Sequence, residues 1–204
     1  MTEEDARTWL IDRFGPQAVK GLNRFVQLLL AESEQQNLIS ASTIGSLWTR
    51  HIVDSAQLLD HAGSDWRHWV DIGSGAGLPG IVIAILSGRR VTMIEPRKLR
   101  VSFLNDCIAA LSLNAEVLQA KAERVSDIRP ADVVSARAVA NLGALLASAQ
   151  GFATRDTIFV LPKGEVAHSE VATARKTWQG SFHVEQSIVD PASGIVVATK
   201  VAPR

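Results

Sequence analysis

The chain contains no tyrosine and only one cysteine, and its charges cancel. Lys and Arg together number 21, as do Asp and Glu, so the average charge lacks the strongly basic footprint usual in nucleic-acid-binding proteins. Any contact with nucleic acid therefore has to use a local basic patch. Because Cys107 has no second cysteine to pair with, an internal disulfide is excluded.

The sequence also lacks a long apolar run and any internal repeat. Its most apolar stretch, residues 77–86, contains Gly and Pro and is shorter than the roughly 18 residues that a membrane-spanning helix needs. The acidic start, residues 1–5, has neither the basic residues nor the apolar run of a signal peptide. With 204 residues, 47% of them hydrophobic, we expect one main domain in a cytoplasmic, monomeric protein without a membrane anchor.

Helical spacing dominates the first part of the chain. Up to about residue 60, apolar positions recur every three or four residues, as they do within residues 22–30. Ser42 or Thr43 is expected to cap a further helix that continues to the end of this region. We interpret residues 1–62 as a helical extension packed on the core, and residues 63–204 as the ligand-binding domain.

Strands and helices alternate in the second part of the chain, which is typical of an α/β fold. The predicted helices are residues 78–86, 99–111, 142–148 and 165–178. The predicted strands are residues 69–72, 91–94, 116–119, 132–135, 157–161, 183–189 and 195–201. We expect a mostly parallel, Rossmann-like sheet covered on both faces. Pro and Gly within residues 190–194 suit a hairpin turn, so one antiparallel strand is expected near the C-terminus.

A glycine-rich segment, residues 71–80, lies between the first predicted strand and the first predicted helix. Glycines there let the backbone approach a ligand, and the helix N-terminus offers free N–H groups. A P-loop is disfavoured because Ile81 and Val82 stand where it needs Lys and Ser or Thr. A dinucleotide-binding loop requires a small residue at the position of Leu78, which weakens an NAD-binding interpretation without removing it.

The spacing of Asp71 before Gly73, Gly75 and Gly77 resembles the first motif of class I methyltransferases, whose loop wraps the amino-acid end of S-adenosylmethionine. Glu95 ends the next strand about 20 residues later, where an acid can accept hydrogen bonds from ribose hydroxyls. The alternative is that Glu95 is an ordinary solvated residue at the end of the strand.

Several further segments extend this resemblance over nearly the full length. They are Asn37-Leu38, Arg50-His51-Ile52-Val53-Asp54-Ser55, the glycine loop with its Leu78-Pro79-Gly80-Ile81 extension, Glu95-Pro96-Arg97-Lys98-Leu99-Arg100, Ala122-Glu123, Ser135-Ala136-Arg137-Ala138 and Pro162-Lys163-Gly164. Together they resemble the bacterial 16S rRNA guanine-N7 methyltransferases, also called glucose-inhibited division protein B. Two departures are Ile39-Ser40, where the family often has Thr, and Pro162, where Leu is usual at the strand end that presents Lys163.

The resemblance implies methyl transfer from S-adenosyl-L-methionine to N7 of the guanine at position 527 of 16S rRNA. The implied partner is 16S rRNA, the small ribosomal subunit or its assembly intermediate. The residues expected to bind the cofactor, from the loop and the resemblance together, are Gly73, Gly75, Gly77, Leu78, Glu95, Ala122, Glu123 and Arg137. No metal is expected.

Guanine N7 carries a lone pair and no proton, so its methylation needs no general base, and positioning should dominate catalysis. No catalytic residue is therefore assigned; Arg137 and Lys163 are candidates near the reaction centre. An exocyclic-amine methyltransferase is disfavoured because the chain has no tyrosine for an Asn-Pro-Pro-Tyr motif. Cys107 lies within a predicted helix and is expected to be a core thiol, not a nucleophile. Trp48, Trp66 and Trp69 are likewise expected to pack in the core.

Five basic residues within twelve positions, Arg89, Arg90, Arg97, Lys98 and Arg100, offer a local source of RNA contact, with a solvated basic face as an equal alternative. The residues expected to bind RNA are Arg50, His51, Arg97, Lys98, Arg100 and Lys163. Two other functions stay open at this point. One is an NAD-dependent oxidoreductase, and the other is a non-catalytic cofactor-sensing or ribosome-assembly protein.

Overall fold

The computed structural model describes residues 1–204 and contains one seven-stranded sheet in the order β3-β2-β1-β4-β5-β7-β6. Its strands are β1 His68–Ile72, β2 Arg90–Ile94, β3 Ala115–Leu118, β4 Ala131–Ala136, β5 Ala153–Gly164, β6 Trp178–Gln186 and β7 Gly194–Pro203. Neighbouring strands pair in parallel except β7, which runs antiparallel to both β5 and β6. The predicted α/β sheet with one antiparallel strand near the C-terminus is confirmed.

Helices cover both faces of this sheet. They are α1 Glu3–Ser33, α2 Asp54–Ala56, α3 Gly80–Ser87, α4 Lys98–Leu111, α5 Leu142–Ser148 and α6 Ala167–Ala174. Because successive side chains of a strand point to opposite faces, Trp69 of β1 joins the hydrophobic cluster under α1, α3 and α4, whereas Val70 joins the cluster under α5 and α6. None of the helices combines the length and the apolar character needed to cross a membrane.

The N-terminal helix α1 contacts the segment of residues 48–53, which precedes the sheet, through Glu3 near its start. It bends at Gly15, whose φ is +82°, directly before Pro16. The Glu3 carboxylate accepts hydrogen bonds from the backbone N–H groups of Trp48 and Thr49, at 2.9 and 2.8 Å. This contact fixes the start of the turn that presents Arg50, His51 and Asp54. Because α1 shares one buried cluster with the sheet, the predicted division at residue 62 stays a prediction.

The segment from residue 41 to residue 61 is not the single helix that the sequence predicted. It consists of a 3-10 turn, Ala41–Ser46, a π-helical turn, Trp48–Val53, the short α2, and a second 3-10 turn, Gln57–His61. The predicted cap is also wrong, because Ser40 precedes the first turn and Thr43 Oγ1 donates back to the Ser40 carbonyl.

The C-terminal hairpin is confirmed, with one boundary moved. The helix predicted to reach Trp178 ends at Ala174, and Trp178 instead begins β6, where it pairs with Pro203 at the far end of β7. The connection between the two strands is held by Asp190, whose carboxylate accepts hydrogen bonds from Ala192 N–H and the Ser193 hydroxyl.

Candidate active site

The glycine loop is anchored from below by a fully buried carboxylate, Asp71, the fourth residue of β1. Asp71 Oδ2 accepts a hydrogen bond from Gly80 N–H at 3.2 Å, and its Oδ1 accepts one from Ser135 Oγ at 2.7 Å. Ser135 in turn accepts a hydrogen bond from Trp69 Nε1 at 2.8 Å. Burial raises the pKa of Asp71 to about 6. Asp71 therefore ties the loop, the start of α3 and β4 together from inside the core.

A second carboxylate, Glu95 at the end of β2, braces the loop from the side. Only 2% of this residue is exposed. Its Oε2 accepts a hydrogen bond from Gly75 N–H at 2.9 Å, and its Oε1 accepts one from Arg97 N–H at 2.9 Å. A carboxylate has about four lone-pair positions, so these two bonds leave acceptor capacity for ribose hydroxyls. The contact with Gly75 was not expected from the sequence.

An apolar cavity of about 490 Å³ opens at the carboxyl ends of β1 and β2, and α5 closes its far side. Nine of its 14 lining residues are hydrophobic. Its lining includes Ile72, Gly73, Ile94, Ala122, Glu123 and Leu145. In open α/β sheets ligands bind at this edge, and the size and apolar walls suit a nucleoside.

Gly73 brings the loop backbone to the wall of the apolar cavity. Its φ is +66°, and a Cβ added there would lie 2.6 Å from Val139 Cγ2. Gly77 serves packing instead, because an added Cβ would lie 2.5 Å from Ile81 Cγ1. Leu78 is buried in the hydrophobic core and does not line the cavity. Their direct contact with a cofactor stays a prediction.

Of the residues predicted to bind cofactor, the structure thus brings Gly73, Ala122 and Glu123 together on the apolar cavity. The sequence missed Val139 and Ala140, which lie on the same cavity. They belong to the connection between β4 and α5, whose small side chains carry no recognisable signal. The neighbouring Arg137 faces a different cavity.

That polar cavity, about 460 Å³ in volume, lies at the carboxyl ends of β4 and β5, beside the start of β7. Only four of its 13 lining residues are hydrophobic. Its polar lining comprises Asp54, Arg137, Lys163, Glu170, Ser187 and Ser193. Val139 and Ala140 line both cavities, so the segment from Arg137 to Ala140 forms the wall between them.

Each cation of the polar cavity is paired with a carboxylate. Arg137 Nη1 lies 3.3 Å from Asp54 Oδ2, and it also donates to the Arg50 carbonyl at 3.3 Å. Lys163 Nζ lies 3.1 Å from Glu170 Oε2 and donates to the Ala140 carbonyl. Only 6% of the Lys163 side chain is exposed, so its partners lie within the protein.

His51 lies behind Arg137, with its Nδ1 at 3.4 Å from Arg137 Nη1. Its Nε2 shares a hydrogen bond of 2.8 Å with Thr43 Oγ1. Burial, with Arg137 and Arg50 adding to the effect, lowers the pKa of His51 to about 4, so the imidazole is neutral near pH 7. The Arg50 side chain is exposed beside it.

The five clustered basic residues do not form one patch, because β2 separates them. Arg89 and Arg90 lie at its amino end. Arg89 donates to the Ser64 and Trp66 carbonyls, and Arg90 pairs with Glu116 at 2.8 Å. At the opposite end, Arg97 and Lys98 are exposed. The guanidinium of Arg100 lies beside the glycine loop, 3.4 Å from the position of a Cβ on Gly75.

The remaining predictions concerned the core. Cys107 is buried, and burial raises the pKa of its thiol to about 12, which makes it unsuited to nucleophilic attack. Trp48, Trp66 and Trp69 are buried in the hydrophobic core, as predicted.

Comparison with known sequences decides the family. The profile described as rRNA small subunit methyltransferase G matches residues 18–194. The chain belongs to this family. A ribosomal RNA small subunit methyltransferase G from Sphingopyxis alaskensis is 47% identical, covering 99% of this chain and 88% of the relative. A second, from Rhizorhabdus wittichii, is 43% identical over 100% of this chain and 95% of the relative.

Solved structures share the fold at low sequence identity. An O-methyltransferase from Bacillus cereus, in complex with SAH, aligns with a TM-score of 0.61 and 14% identity, covering 94% of this chain and 96% of that one. A variant of MtNAS in complex with S-adenosylmethionine gives a TM-score of 0.61 and 15% identity, covering 96% of this chain and 82% of that one. The sheet is therefore that of the class I methyltransferases.

Proposed function

We propose that this chain transfers the methyl group of S-adenosylmethionine to N7 of guanine 527 in 16S rRNA. The observation that carries the proposal is the pair of adjoining cavities at the carboxyl edge of the sheet. One is apolar and adjoins the glycine loop, the other is polar, and Val139 and Ala140 line both. A group-transfer enzyme with a nucleoside cofactor and a polar acceptor needs two such sites side by side. Membership of the rRNA small subunit methyltransferase G family supplies the substrate class.

The residues around the apolar cavity fit this cofactor. A Cβ on Gly73 would collide with Val139, another residue that lines the cavity, so the glycine lets the loop backbone lie directly against the cavity wall. Ile72, Ile94 and Leu145 offer apolar contact to a base, and Glu95 keeps acceptor capacity for ribose hydroxyls. When bound, S-adenosylmethionine supplies an electrophilic methyl group carried on a sulfonium. Gly75, Gly77, Leu78, Ala122 and Glu123 complete the proposed cofactor-binding set. Arg137 lines the polar cavity at the start of the segment between the two cavities, and we propose that it contacts both the cofactor and the acceptor.

The chain's own contribution to the chemistry is position and charge. Because N7 needs no deprotonation, the polar cavity has to hold the base still and exclude water. The purine ring becomes cationic as N7 is methylated, so an unpaired cation beside it would oppose the reaction. Arg137 and Lys163 are both neutralised by carboxylates, Asp54 and Glu170, which meets this requirement.

Contact with the rest of the RNA is assigned to exposed cations around the site. Arg50 beside the polar cavity and Arg97 and Lys98 at the end of β2 are the strongest candidates, because their side chains reach solvent. His51 and Lys163 are bonded inside the protein and are proposed to act through the shape of the site. Arg100, beside the glycine loop, completes the set. We also propose that the protein is a cytoplasmic monomer whose residues 1–62 form a helical extension.

The test is transfer of a labelled methyl group to rRNA. The full-length protein is incubated with labelled S-adenosylmethionine and either naked 16S rRNA or 30S particles. N7-methylguanine is then mapped by reduction and aniline cleavage. Label at guanine 527 in either substrate supports the proposal and identifies the preferred form. Label at a different nucleotide, or binding of the cofactor without transfer, would contradict it and favour a different target or a non-catalytic binding protein.

A titration separates the cofactor classes. We expect S-adenosylhomocysteine to bind in calorimetry and NAD to give no saturable signal, because Leu78 is buried where a dinucleotide loop needs a small residue. Tight binding of NAD without binding of the homologue would favour the oxidoreductase interpretation.

A further inference from the structure

The polar cavity contains a carboxylate whose orientation is fixed from behind. Asp54 lines the cavity, with 19% of its side chain exposed. Its Oδ1 accepts a hydrogen bond from Gln57 Nε2 at 2.9 Å, and its Oδ2 faces Arg137 Nη1 at 3.3 Å. Two bonds leave about two of its four lone-pair positions for a ligand.

Gln57 is a positioning residue with no freedom to turn. It is 1% exposed. Its Nε2 also donates to Ser187 Oγ at 3.1 Å, and its Oε1 accepts a hydrogen bond from Ile188 N–H at 2.9 Å. Turning the amide over would place two donors against each other at Ile188. The carboxylate of Asp54 is therefore held in one orientation at the edge of the cavity.

The contacts of Asp54 within the protein do not fully offset the cost of burying its charged carboxylate. Burial raises the pKa of Asp54, even though Arg137 and Gln57 act in the opposite direction. A ligand that brings N–H donors to Asp54 would replace the water that burial has removed, and it would gain hydrogen bonds of the charged kind.

Guanine offers the matching pattern of donors and acceptors. Its N1–H and N2 amino group lie side by side and form two hydrogen bonds to one carboxylate, while the adjacent O6 accepts from a guanidinium. Adenine presents the reverse pattern, an acceptor at N1 and a donor at N6, so the same pair of side chains would reject it. Guanine's N7 lies on the far side of the ring from N1 and N2, where it is free to react.

We propose that Asp54 recognises the acceptor guanine by accepting hydrogen bonds from its N1–H and N2 amino group, with Arg137 donating to O6. This inference rests on the proposed function, because it needs guanine as the methyl acceptor. It also gives Asp54 an electrostatic role. Methylation at N7 makes N1–H a stronger acid, so the hydrogen bond to the carboxylate strengthens as the ring becomes cationic, which lowers the barrier more than it favours the bound substrate.

The other carboxylate of the cavity is committed elsewhere. Glu170 Oε2 accepts hydrogen bonds from Leu142 N–H, at 2.5 Å, and from Lys163 Nζ, at 3.1 Å. These bonds hold the start of α5 and the end of β5. Asp54 has no backbone N–H among its partners, so it is the better acceptor for an incoming base.

The test replaces one amino group of the substrate. Inosine lacks the N2 amino group of guanosine but keeps N1–H, O6 and N7. Substrate RNA carrying guanosine or inosine at position 527 is prepared by ligation, in whichever form the wild-type enzyme methylates. We expect kcat/KM of the wild-type enzyme to be about 10- to 100-fold lower for inosine, the effect of losing one hydrogen bond to a charged group. In Asp54→Asn, this ratio should fall to about 3-fold or less, since the neutral side chain no longer offers two equivalent acceptors.

Two control measurements test whether the effect is specific to Asp54. The Asp54→Asn variant should bind S-adenosylhomocysteine within about 3-fold of wild type, because Asp54 does not line the apolar cavity. Glu170→Gln should keep the wild-type ratio of guanosine to inosine. Equal use of the two substrates by the wild-type enzyme, or loss of discrimination in Glu170→Gln but not in Asp54→Asn, would overturn the inference and leave the proposed function intact. Absence of any wild-type methylation of guanosine would instead remove the proposed function, and the inference with it.

Discussion

The two cavities at the carboxyl edge of the sheet are built in opposite ways. The apolar cavity is lined by the ends of β1 and β2, by the connections that follow β3 and β4, and by α5, and Gly73 is where the glycine loop meets it. The polar cavity gathers charged side chains from distant parts of the chain, such as Asp54, Arg137, Lys163 and Glu170. The first therefore depends on how closely a backbone can approach a ligand, and the second on how charges are paired. Substitutions should affect the two in different ways.

The largest effect is expected at Gly73, where the apolar cavity depends on a missing side chain. In Gly73→Ala, a Cβ at 2.6 Å from Val139 Cγ2 would push the wall or occupy ligand space. We expect the Kd of S-adenosylhomocysteine, measured by calorimetry, to rise by about 10- to 100-fold, the equivalent of about 1–3 kcal/mol of overpacking.

Gly88→Ala is the matched control for this substitution. Gly88 has nearly the same backbone conformation, φ +64° against +66°, but no atom lies within 4 Å of an added Cβ. Both variants should lose about 1 kcal/mol of stability from the left-handed backbone conformation. Gly73→Ala should lose more, because its Cβ also overpacks against Val139, and only Gly73→Ala should lose affinity. Equal losses of affinity in the two variants would mean that backbone strain, not close approach, determines cofactor binding.

The contrast between the cavities also explains what the sequence could predict. The loop from Asp71 to Gly80 and the acid at Glu95 are local features at fixed spacing, so the glycine loop and its ligand class were recognisable. The alternating strands likewise gave the sheet and its antiparallel strand. The polar cavity brings together residues 54, 137, 163 and 170. These residues are far apart in the sequence, so no local pattern predicts that they lie side by side.

Contacts that local sequence patterns do not reveal account for the errors in secondary structure. Threonine is a common helix-capping residue, so a helix was expected to begin at Thr43. Its hydroxyl instead bonds to the Ser40 carbonyl and to His51, and the chain there forms 3-10 and π-helical turns. Trp178 fitted the apolar spacing of a helix, but pairing with β7 places it in a strand. The ion pair with Glu170 places Lys163 in the wall of the polar cavity, and its contact with RNA stays a prediction.

A buried hydrogen-bond network lies below the apolar cavity, where Ser135 links Trp69 and Asp71. Ser135→Ala leaves the Trp69 indole N–H and one oxygen of Asp71 without their partner in a site that excludes water. We expect the free energy of unfolding in urea to fall by about 1–3 kcal/mol. Ser126→Ala, at an exposed serine, should change it by less than about 0.5 kcal/mol. Equal values for the two variants would show that this network is not a support of the loop.

A smaller effect on affinity is expected at Glu95. In Glu95→Gln, the amide NH₂ replaces one oxygen that now accepts from Gly75 N–H or Arg97 N–H, so one donor loses its acceptor. We expect the Kd of S-adenosylhomocysteine to rise about 10-fold, close to the value of one hydrogen bond to a charged group. Glu116→Gln, on the neighbouring strand β3 and away from both cavities, should leave it unchanged. An unchanged Kd in Glu95→Gln would show that the loop keeps its shape without the brace.

The smallest effect concerns the pH dependence of stability. As the pH falls, Asp71 below the apolar cavity and His51 beside the polar cavity should change the free energy of unfolding in opposite directions. Asp71 below the apolar cavity has a pKa raised to about 6, so the folded state holds a proton that the unfolded state releases, and this group favours folding as the pH falls through 6. His51 beside the polar cavity has a pKa lowered to about 4, so between pH 6.5 and 4 the unfolded state binds the proton and this group opposes folding as the pH falls.

The variant His51→Gln removes the destabilising contribution of the imidazole. The loss of unfolding free energy between pH 7 and pH 4.5 should therefore be smaller in this variant than in wild type, whereas His183→Gln, at an exposed position on β6, should follow wild type. If His51→Gln and wild type lose stability in parallel over this range, the imidazole is not buried in its neutral form, and the polar cavity is more open to solvent than its hydrogen bonds indicate.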